Sequence, residues 1–316
     1  MLLKYCFLLL CLLLGFTQCK SPGTQETLPS DDALMDTVQR RTFNYFWEGA
    51  EPNSGLARER IHMDGVYLEN DRNVVTSGGS GFGIMAILAG IDRGYVTPEE
   101  GLQRMEKIVT FLETADRFHG AYPHWWYGDT GKVKPFGRKD NGGDLVETAF
   151  IMQALLSVHQ YYINGNEQEK ALAARIDKLW REVDWDFYRR NGRNVLYWHW
   201  SPEYGWEMDF PVHGYNECLI MYILAAALSS IVYTPEQSLQ VMRHLYEMGD
   251  KVFGPYGFYD AFSETDNWYP RRYLAIDQGP IAVMIENYRT GLLWKLFMSH
   301  PDVQKGLEKL GFSTGK

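Results

Sequence analysis

Helical segments of two kinds alternate along this chain, and their alternation limits the folds available to it. Residues 217–228 and the first half of 80–90 are apolar on almost every side, so both segments must be buried on every side. Residues 97–115 and 166–185 instead carry one charged face, which suits helices at the surface. An inner ring of helices surrounded by an outer ring would show this pattern. The sequence therefore predicts a mainly α-helical fold.

Helical periodicity and capping signals together predict nine helices. One helix start, for example, shows the typical order of a capping residue, a proline and acids, in Thr97-Pro98-Glu99-Glu100. Short strands are predicted only around residues 120–123 and 194–200. The nine predicted helices span residues 31–49, 77–94, 97–115, 144–162, 166–185, 216–229, 235–252, 277–299 and 302–310.

The first 30 residues have the layout of a secretion signal followed by a tether. Lys4 precedes an apolar run at 5–16 that is too short to span a bilayer. Cys19 stands where cleavage is expected, as in a bacterial lipoprotein signal, although an ordinary signal with an incidental cysteine fits the same residues. We expect a signal peptide at 1–18, a polar tether at 19–30 and one domain at 31–316. Lipidation of Cys19 implies a protein of the periplasm or outer membrane, attached to the membrane only through its lipid anchor.

The composition excludes several classes of partner. The net charge is -9 without a basic cluster, which argues against nucleic acid and anionic membranes and favours neutral substrates. Cys218 is the only thiol in the predicted folded domain at 31–316, so neither a disulfide framework nor a cysteine metal site is expected. The histidines include no His-x-x-x-His pair, and the Gly-rich residues 77–83 lack the lysine of a P-loop. We expect no metal, no cofactor and a monomeric protein.

Residues 122–127 form a dense aromatic strip, and three carboxylates follow it. Aromatic faces cover the apolar faces of sugar rings, and carboxylates accept hydrogen bonds from hydroxyl groups. Asp144 and Glu147 also fit a capping box, and the helix dipole favours acids at a helix start, so both interpretations stay open. The candidate sugar-binding residues are His124, Trp125, Trp126, Asp140, Asp144, Glu147, Tyr215 and Trp268.

Two further acids begin predicted helices and are candidates for proton transfer. Glu217 heads an apolar helix without a basic residue nearby in sequence. Burial would raise its pKa, as a general acid near neutral pH requires. The alternative is a helix-dipole role in the first turn, with Asn216 as the cap. Asp277 begins the predicted helix at 277–299, where it is a candidate either for chemistry or for capping.

Five motifs, in order along the chain, resemble those of a known family. They are FHGAYPHW at 118–125, DNGGDLVETA at 140–149, GYNE at 214–217, GPYGFYDAF at 254–262 and IDQGP at 276–280. The chain resembles the glucoamylase-like family of Bacteroidetes, which includes the β-1,2-glucanases of glycoside hydrolase family 144. The resemblance implies an (α/α)6 barrel and inverting hydrolysis of β-1,2-linked glucan or its oligosaccharides, without metal or cofactor.

The resemblance also implies roles for individual acids. It makes Glu217 the general acid and Asp277 the base, and it places Asp140, Asp144 and Glu147 in an acidic cluster of the sugar cleft. In an inverting enzyme the two catalytic carboxyl groups stand roughly 6.5–9.5 Å apart, which leaves room for the attacking water.

The chain departs from the family at one junction. Residues 225–232 run directly into 233–236, where family members carry further helices, and nine predicted helices are fewer than the twelve that six helical hairpins require. We expect an internal deletion near Ser230 and an incomplete barrel. The alternative function is a non-catalytic glycan-binding surface lipoprotein with a degenerate barrel. A polysaccharide lyase is a third interpretation, which the acidic cluster disfavours because uronate substrates are themselves negatively charged.

Overall fold

Nine α-helices lie within residues 28–69, 71–212 and 228–312, which are the residues that this computed structural model describes. From Asp31 onward the chain forms one compact unit. The helices are α1 (Asp31–Trp47), α2 (Ser77–Asp92), α3 (Pro98–Thr114), α4 (Leu145–Tyr162), α5 (Glu167–Arg181), α6 (Pro235–Glu247), α7 (Ala275–Arg289), α8 (Leu292–Ser299) and α9 (Pro301–Lys309).

Helices α2 and α4 pack side by side in the same direction. Glu147 at the start of α4 contacts Gly78 at the start of α2, and one turn later Gly81 of α2 lies against the backbone of Phe150. A Cβ atom at position 81 would come within 2.6 Å of the Phe150 carbonyl oxygen. The glycines at the start of α2 therefore permit a close approach of two helix backbones.

Helix α7 packs on the other side of α2, also in the same direction. Gly79 faces Ala275 near the two helix starts, and Phe82 covers Gly279 one turn further on. Helices α2, α4 and α7 are thus three parallel inner helices, and their N-terminal ends lie at one end of the bundle. Helix α2 is buried along almost its whole length, as predicted for an inner helix.

Helices α1, α3 and α5 pack outside the inner three and bury one face each. Helix α1 runs antiparallel to α2, because Phe46 covers Gly83 and Phe43 covers Gly90. Helices α3 and α5 begin with complete capping boxes at Thr97 and Asn166. Their exposed faces carry the charged residues, so the predicted alternation of inner and outer helices is confirmed for these elements.

Short β-strands lead directly into each of the three inner helices. The strands are β1 (Arg60–His62), β2 (Val74–Thr76), β3 (Trp125–Tyr127), β4 (Val133–Lys134), β5 (Gly143–Asp144), β6 (His199–Trp200), β7 (Phe253–Gly254), β8 (Gly257–Phe258) and β9 (Arg272–Leu274). They pair as β1–β9, β2–β3–β4, β5–β6 and β7–β8. The antiparallel pairs β1–β9, β2–β3 and β5–β6 connect segments that are distant in sequence, whereas β3–β4 and β7–β8 are local hairpins.

Three local predictions differ from the structure. The predicted strand at 120–123 is a tight turn with a bridge between Phe118 and Ala121, and the ladder follows at β3. The predicted strand at 194–200 shortens to His199–Trp200. The predicted helix at 277–299 is broken at Gly291, whose φ of 68° is incompatible with a continuous right-handed helix.

Two predicted segments fall wholly or largely outside the described residues. Residues 1–27 contain the predicted signal peptide with Cys19 and most of the tether, and residues 213–227 contain most of the predicted helix at 216–229. Among the helices that are described, none combines the length and the apolar character needed to cross a bilayer.

Candidate active site

The aromatic strip connects the starts of two inner helices. Ser77 at the start of α2 donates its backbone N–H to the carbonyl oxygen of His124 at 3.1 Å, and its hydroxyl donates to the same oxygen at 3.0 Å. Asp144, immediately before α4, donates its backbone N–H to the carbonyl oxygen of Tyr122 at 2.8 Å. The strip is therefore held between α2 and α4, next to the acidic loop that the sequence placed after it.

Asp144 and Glu147 fix the first turns of these two helices. Asp144 Oδ1 accepts a hydrogen bond from the backbone N–H of Glu147 at 2.9 Å, so Asp144 is the N-cap of α4. Glu147 Oε2 accepts the backbone N–H of Gly78 in α2 at 2.7 Å. The capping interpretation is confirmed for Asp144, while Glu147 reaches across to the neighbouring helix start, where the helix dipole favours an acid.

Asp140, Asp144 and two histidines form a buried polar cluster beside this turn. His124 Nδ1 lies 3.5 Å from Asp140 Oδ2 and 3.3 Å from Asp144 Oδ2. His199 Nε2 lies 3.2 Å from Asp140 Oδ1. The side chains of Asp144 and His199 are fully buried, and that of Asp140 is 6% exposed. The ring of His124 stacks on Phe136 with a centroid distance of 4.3 Å.

Burial and proximity act in opposite directions on the pKa values of this cluster. Burial would raise the pKa of Asp140, but the adjacent imidazoles of His124 and His199 lower it to about 2. Burial would lower the pKa of His124, but the carboxylates of Asp140 and Asp144 raise it to about 10. At neutral pH the carboxylate of Asp140 is therefore ionised and His124 is protonated.

Asp277 lies in the first turn of the third inner helix, where Leu274 and not Asp277 occupies the N-cap position. Its capping role is therefore excluded. The side chain is buried, and burial together with the neighbouring carboxylate of Asp260 raises the pKa of Asp277 to about 8. Arg272 donates hydrogen bonds to Asp260 Oδ2 at 3.1 Å, so one basic side chain lies beside this pair of carboxyl groups.

The predicted aromatic contacts fall in different environments. Trp126 is fully buried, packs against Tyr122 and donates its indole N–H to the Asp116 carbonyl oxygen at 3.1 Å. It is a core residue, because side chains on a strand alternate between faces and its face of β3 points inward. Trp125 points the other way, is partly exposed and lies beside His124.

Trp268 is the most exposed of the predicted sugar contacts that are described, with 47% of its surface accessible. Its ring lies 6.0 Å from the guanidinium of Arg272, which in turn binds Asp260. The side chains of Arg272 and Asp260 therefore connect Trp268 to Asp277. Tyr215 and Glu217 lie outside the described residues, so their predicted roles stay predictions.

Two site residues, His199 and Asp260, were not among the candidates from the sequence. His199 reaches Asp140 through the β5–β6 pair, in which Asp144 is opposite His199. No local spacing reveals this contact. Asp260 stands within the GPYGFYDAF motif, so the motif carried a signal although its acid was not singled out.

Comparisons with solved structures confirm the fold. A structure described as a putative glucoamylase from Bacteroides caccae shares 60% sequence identity and a TM-score of 0.88, and the match covers 90% of this chain and 100% of that one. The endo-β-1,2-glucanase of Chitinophaga pinensis, solved with sophorotriose and glucose, shares 48% identity and a TM-score of 0.87, covering 90% of this chain and 98% of that one. Such structures are α/α toroids.

Sequence comparisons agree with the structural ones. The Glycoamylase family model, described as "Putative glucoamylase", matches residues 224–301. The exo β-1,2-glucooligosaccharide sophorohydrolase (non-reducing end) of Parabacteroides distasonis is 34% identical over 425 residues, which cover 89% of this chain. The chain spans 58% of the length of that curated relative. On these matches, the chain belongs to the glucoamylase-like family that contains the β-1,2-glucanases of glycoside hydrolase family 144.

Proposed function

We propose that this protein is a glycoside hydrolase that cleaves β-1,2-linked glucan or its oligosaccharides by an inverting acid/base mechanism. The observation that carries the proposal is the placement of buried acids at the starts of the inner helices. Glu147 and the helix of Asp277 flank the first turn of α2 from opposite sides, through Gly78 and Gly79. The relatives named as β-1,2-glucan hydrolases support the substrate class.

The cluster around Asp140 is suited to holding a neutral sugar. Ionised Asp140 offers acceptor oxygens to hydroxyl groups, and the partly exposed faces of Trp125 and Trp268 are suited to covering a pyranose ring. The net charge of -9 disfavours polyanionic substrates. Binding of the glucan by these residues needs no cofactor.

In the proposed mechanism Glu217 protonates the leaving oxygen and Asp277 removes a proton from the attacking water. Asp277 can act as a base only after it has lost its own proton. The neighbouring Asp260 makes the ionised Asp277 a strong base, because its negative charge raises the proton affinity. The hydrolytic rate is therefore expected to rise as the pH increases toward 8.

The test is product analysis with purified protein. β-1,2-Glucan should release reducing oligosaccharides whose first-formed anomer is inverted, as seen by NMR, whereas β-1,3- and β-1,4-glucans should not react. Glu217→Gln and Asp277→Asn should each lower kcat/KM by about 10²-fold or more. Asp129→Asn removes an exposed acid outside the site and serves as the control.

Three outcomes would overturn the proposal: no reducing sugar from β-1,2-glucan, a retained anomer, or full activity in Glu217→Gln. Binding of the glucan without turnover, seen by calorimetry, would instead identify a glycan-binding lipoprotein.

We also propose that the mature protein is a monomer anchored by lipid at Cys19 in the periplasm or outer membrane. The position of Cys19 after a short apolar run supports this proposal. In a bacterial host, Cys19→Ser should move the protein from the membrane fraction to the soluble fraction. An unchanged distribution would contradict the anchor. Light scattering on the soluble domain measures the oligomeric state, and a stable dimer would contradict the monomer.

A further inference from the structure

Three donor atoms converge within the buried cluster of the candidate site. His124 offers an imidazole nitrogen, and Asp140 and Asp144 each offer a carboxylate oxygen, all within 4.8 Å of one another. His124 Nδ1 is 3.5 Å from Asp140 Oδ2 and 3.3 Å from Asp144 Oδ2. Ligands of a tetrahedral ion with bonds of about 2.1 Å are separated by roughly 3.4 Å. The two separations from His124 therefore match those of ligands around one small cation, and the third is at most 4.8 Å.

The same atoms lack hydrogen bonds within the described part of the chain. Four buried atoms of these three residues have no hydrogen-bond partner among the described residues: both carboxylate oxygens of Asp140, Oδ2 of Asp144 and Nδ1 of His124. The side chain of Asp144 is fully buried and that of Asp140 is 94% buried. Buried polar atoms without partners are costly, and one cation could bind Asp140 Oδ2, Asp144 Oδ2 and His124 Nδ1 together.

The remaining contacts of the two carboxylates hold them in place. Asp144 Oδ1 accepts the backbone N–H of Glu147 at 2.9 Å, which leaves Oδ2 directed toward His124. Asp140 Oδ1 faces His199 Nε2 at 3.2 Å, which leaves Oδ2 for His124. Metal ligands are commonly oriented in this way by a surrounding layer of polar groups.

We propose that His124, Asp140 and Asp144 bind a divalent transition-metal ion of the Zn²⁺ type, which competes with the sugar for the same carboxylates. One neutral imidazole and two carboxylates form a donor set that Zn²⁺ accepts, and water can complete its coordination. Binding of the ion releases to solvent the proton that His124 carries at neutral pH. The competition with sugar rests on the proposed function, whereas the binding of the ion does not.

Metal binding is tested on the folded protein without substrate. The full chain is treated with EDTA, dialysed and titrated with ZnCl₂ near neutral pH by calorimetry. Saturable binding with one high-affinity site and a rise in the thermal midpoint are expected. Asp144→Asn keeps the oxygen that caps α4 but removes the charge, and His124→Gln removes the imidazole. Each should weaken Zn²⁺ binding by at least about tenfold.

Two controls make the result specific to this cluster. His244→Gln removes an exposed histidine on α6 and should bind Zn²⁺ as the wild type does. Circular dichroism establishes that each variant is folded. Absence of saturable Zn²⁺ binding by the wild type, or wild-type affinity in both cluster variants, would overturn the site. Mg²⁺ binding as tight as that of Zn²⁺ would also overturn it, because Mg²⁺ prefers oxygen ligands alone.

The competition is tested separately by hydrolysis of β-1,2-glucan. Zn²⁺ should raise KM and leave kcat unchanged, and EDTA should reverse the effect. A fall in kcat at constant KM would contradict competition with the sugar. If the protein does not hydrolyse the glucan at all, the proposed function fails, while the calorimetric test of the ion site still stands.

Discussion

At the scale of single residues, Asp144 divides its two carboxylate oxygens between a helix cap and a neighbouring histidine. Its Oδ1 atom accepts the N–H of Glu147 at the start of α4, and its Oδ2 atom faces His124 at 3.3 Å. The sequence posed these two roles as alternatives. A carboxylate has two oxygens, so a buried N-cap residue can use one for the helix and present the other to a ligand.

Asp277 makes the stability of the protein depend on pH. Its pKa is about 8 in the folded protein, against about 3.9 for an aspartate in an unfolded chain. Between these values the folded state binds one more proton than the unfolded state, so the free energy of unfolding falls as the pH rises. One such group contributes at most about 1.4 kcal/mol per pH unit. We expect Asp277→Asn to remove this slope and to gain stability over the wild type toward pH 8, measured by urea unfolding.

The matched control for this prediction is Asp129→Asn, which removes an acid from the exposed surface and should keep the wild-type slope. If Asp277→Asn also keeps the wild-type slope, the proton resides elsewhere, and the pairing of Asp277 with Asp260 is wrong.

The sequence allowed part of the site to be predicted at this scale. Asp140 and Asp144 lie in one loop, so their proximity follows from chain connectivity alone. The contact of His199 with Asp140 depends on the pairing of β5 with β6 across more than fifty residues, which no local spacing encodes. Trp126 points inward because alternate side chains of β3 point to opposite faces of the sheet. Every residue of β3 is aromatic, so the sequence does not reveal which side chains face the core.

At the scale of secondary-structure elements, caps and periodicity predicted most helix boundaries closely. The helices predicted to begin at residues 97 and 166 do begin there, and capping boxes at Thr97 and Asn166 fix their starts through bonds within one turn. The break between α7 and α8 was missed. Gly291 adopts a φ of 68°, and Thr290 Oγ1 accepts the N–H of Leu292, so the chain turns within an otherwise helical pattern.

The close packing of the inner helices depends on glycine at their contacts. In Gly81→Ala the new Cβ would lie 2.6 Å from the carbonyl oxygen of Phe150, and a backbone atom cannot move without separating α2 from α4. We expect a loss of about 1–3 kcal/mol in the free energy of unfolding, measured by chemical denaturation.

A second helical glycine provides the comparison for this prediction. A Cβ at Gly306 in α9 would meet nothing within 4 Å, so Gly306→Ala should be neutral or should stabilise by up to about 1 kcal/mol. Equal effects of the two substitutions would show that helix propensity, and not interhelical packing, decides the result.

At the scale of the whole molecule, the sequence predicts that the chain departs from its relatives at the junction near Ser230. The alignment with the Parabacteroides distasonis enzyme runs over 425 residues, longer than the 316 of this chain, so it includes residues of the relative that have no counterpart here. Tyr233 at the junction is 74% exposed, and its ring lies 6.4 Å from that of Trp294, which is 42% exposed. Exposed aromatics at this place support the proposed internal deletion.

If the predicted deletion is real, insertion of the corresponding segment of a relative should stabilise the protein. A chimera that carries the equivalent segment of the Bacteroides caccae relative between Ser230 and Tyr233 should cover these aromatics, at a gain of about 25 cal/mol per Å² of apolar surface. We expect a higher thermal midpoint and a higher kcat/KM on β-1,2-glucan. The control is a Gly/Ser linker of equal length at the same junction, which adds residues but no apolar surface. Because the entropic cost of closing such a loop is small, the linker should change neither the thermal midpoint nor kcat/KM. The chimera could instead be no more stable and no more active than the linker variant. That result would contradict the predicted deletion and would mean that the site does not need further helices at this junction.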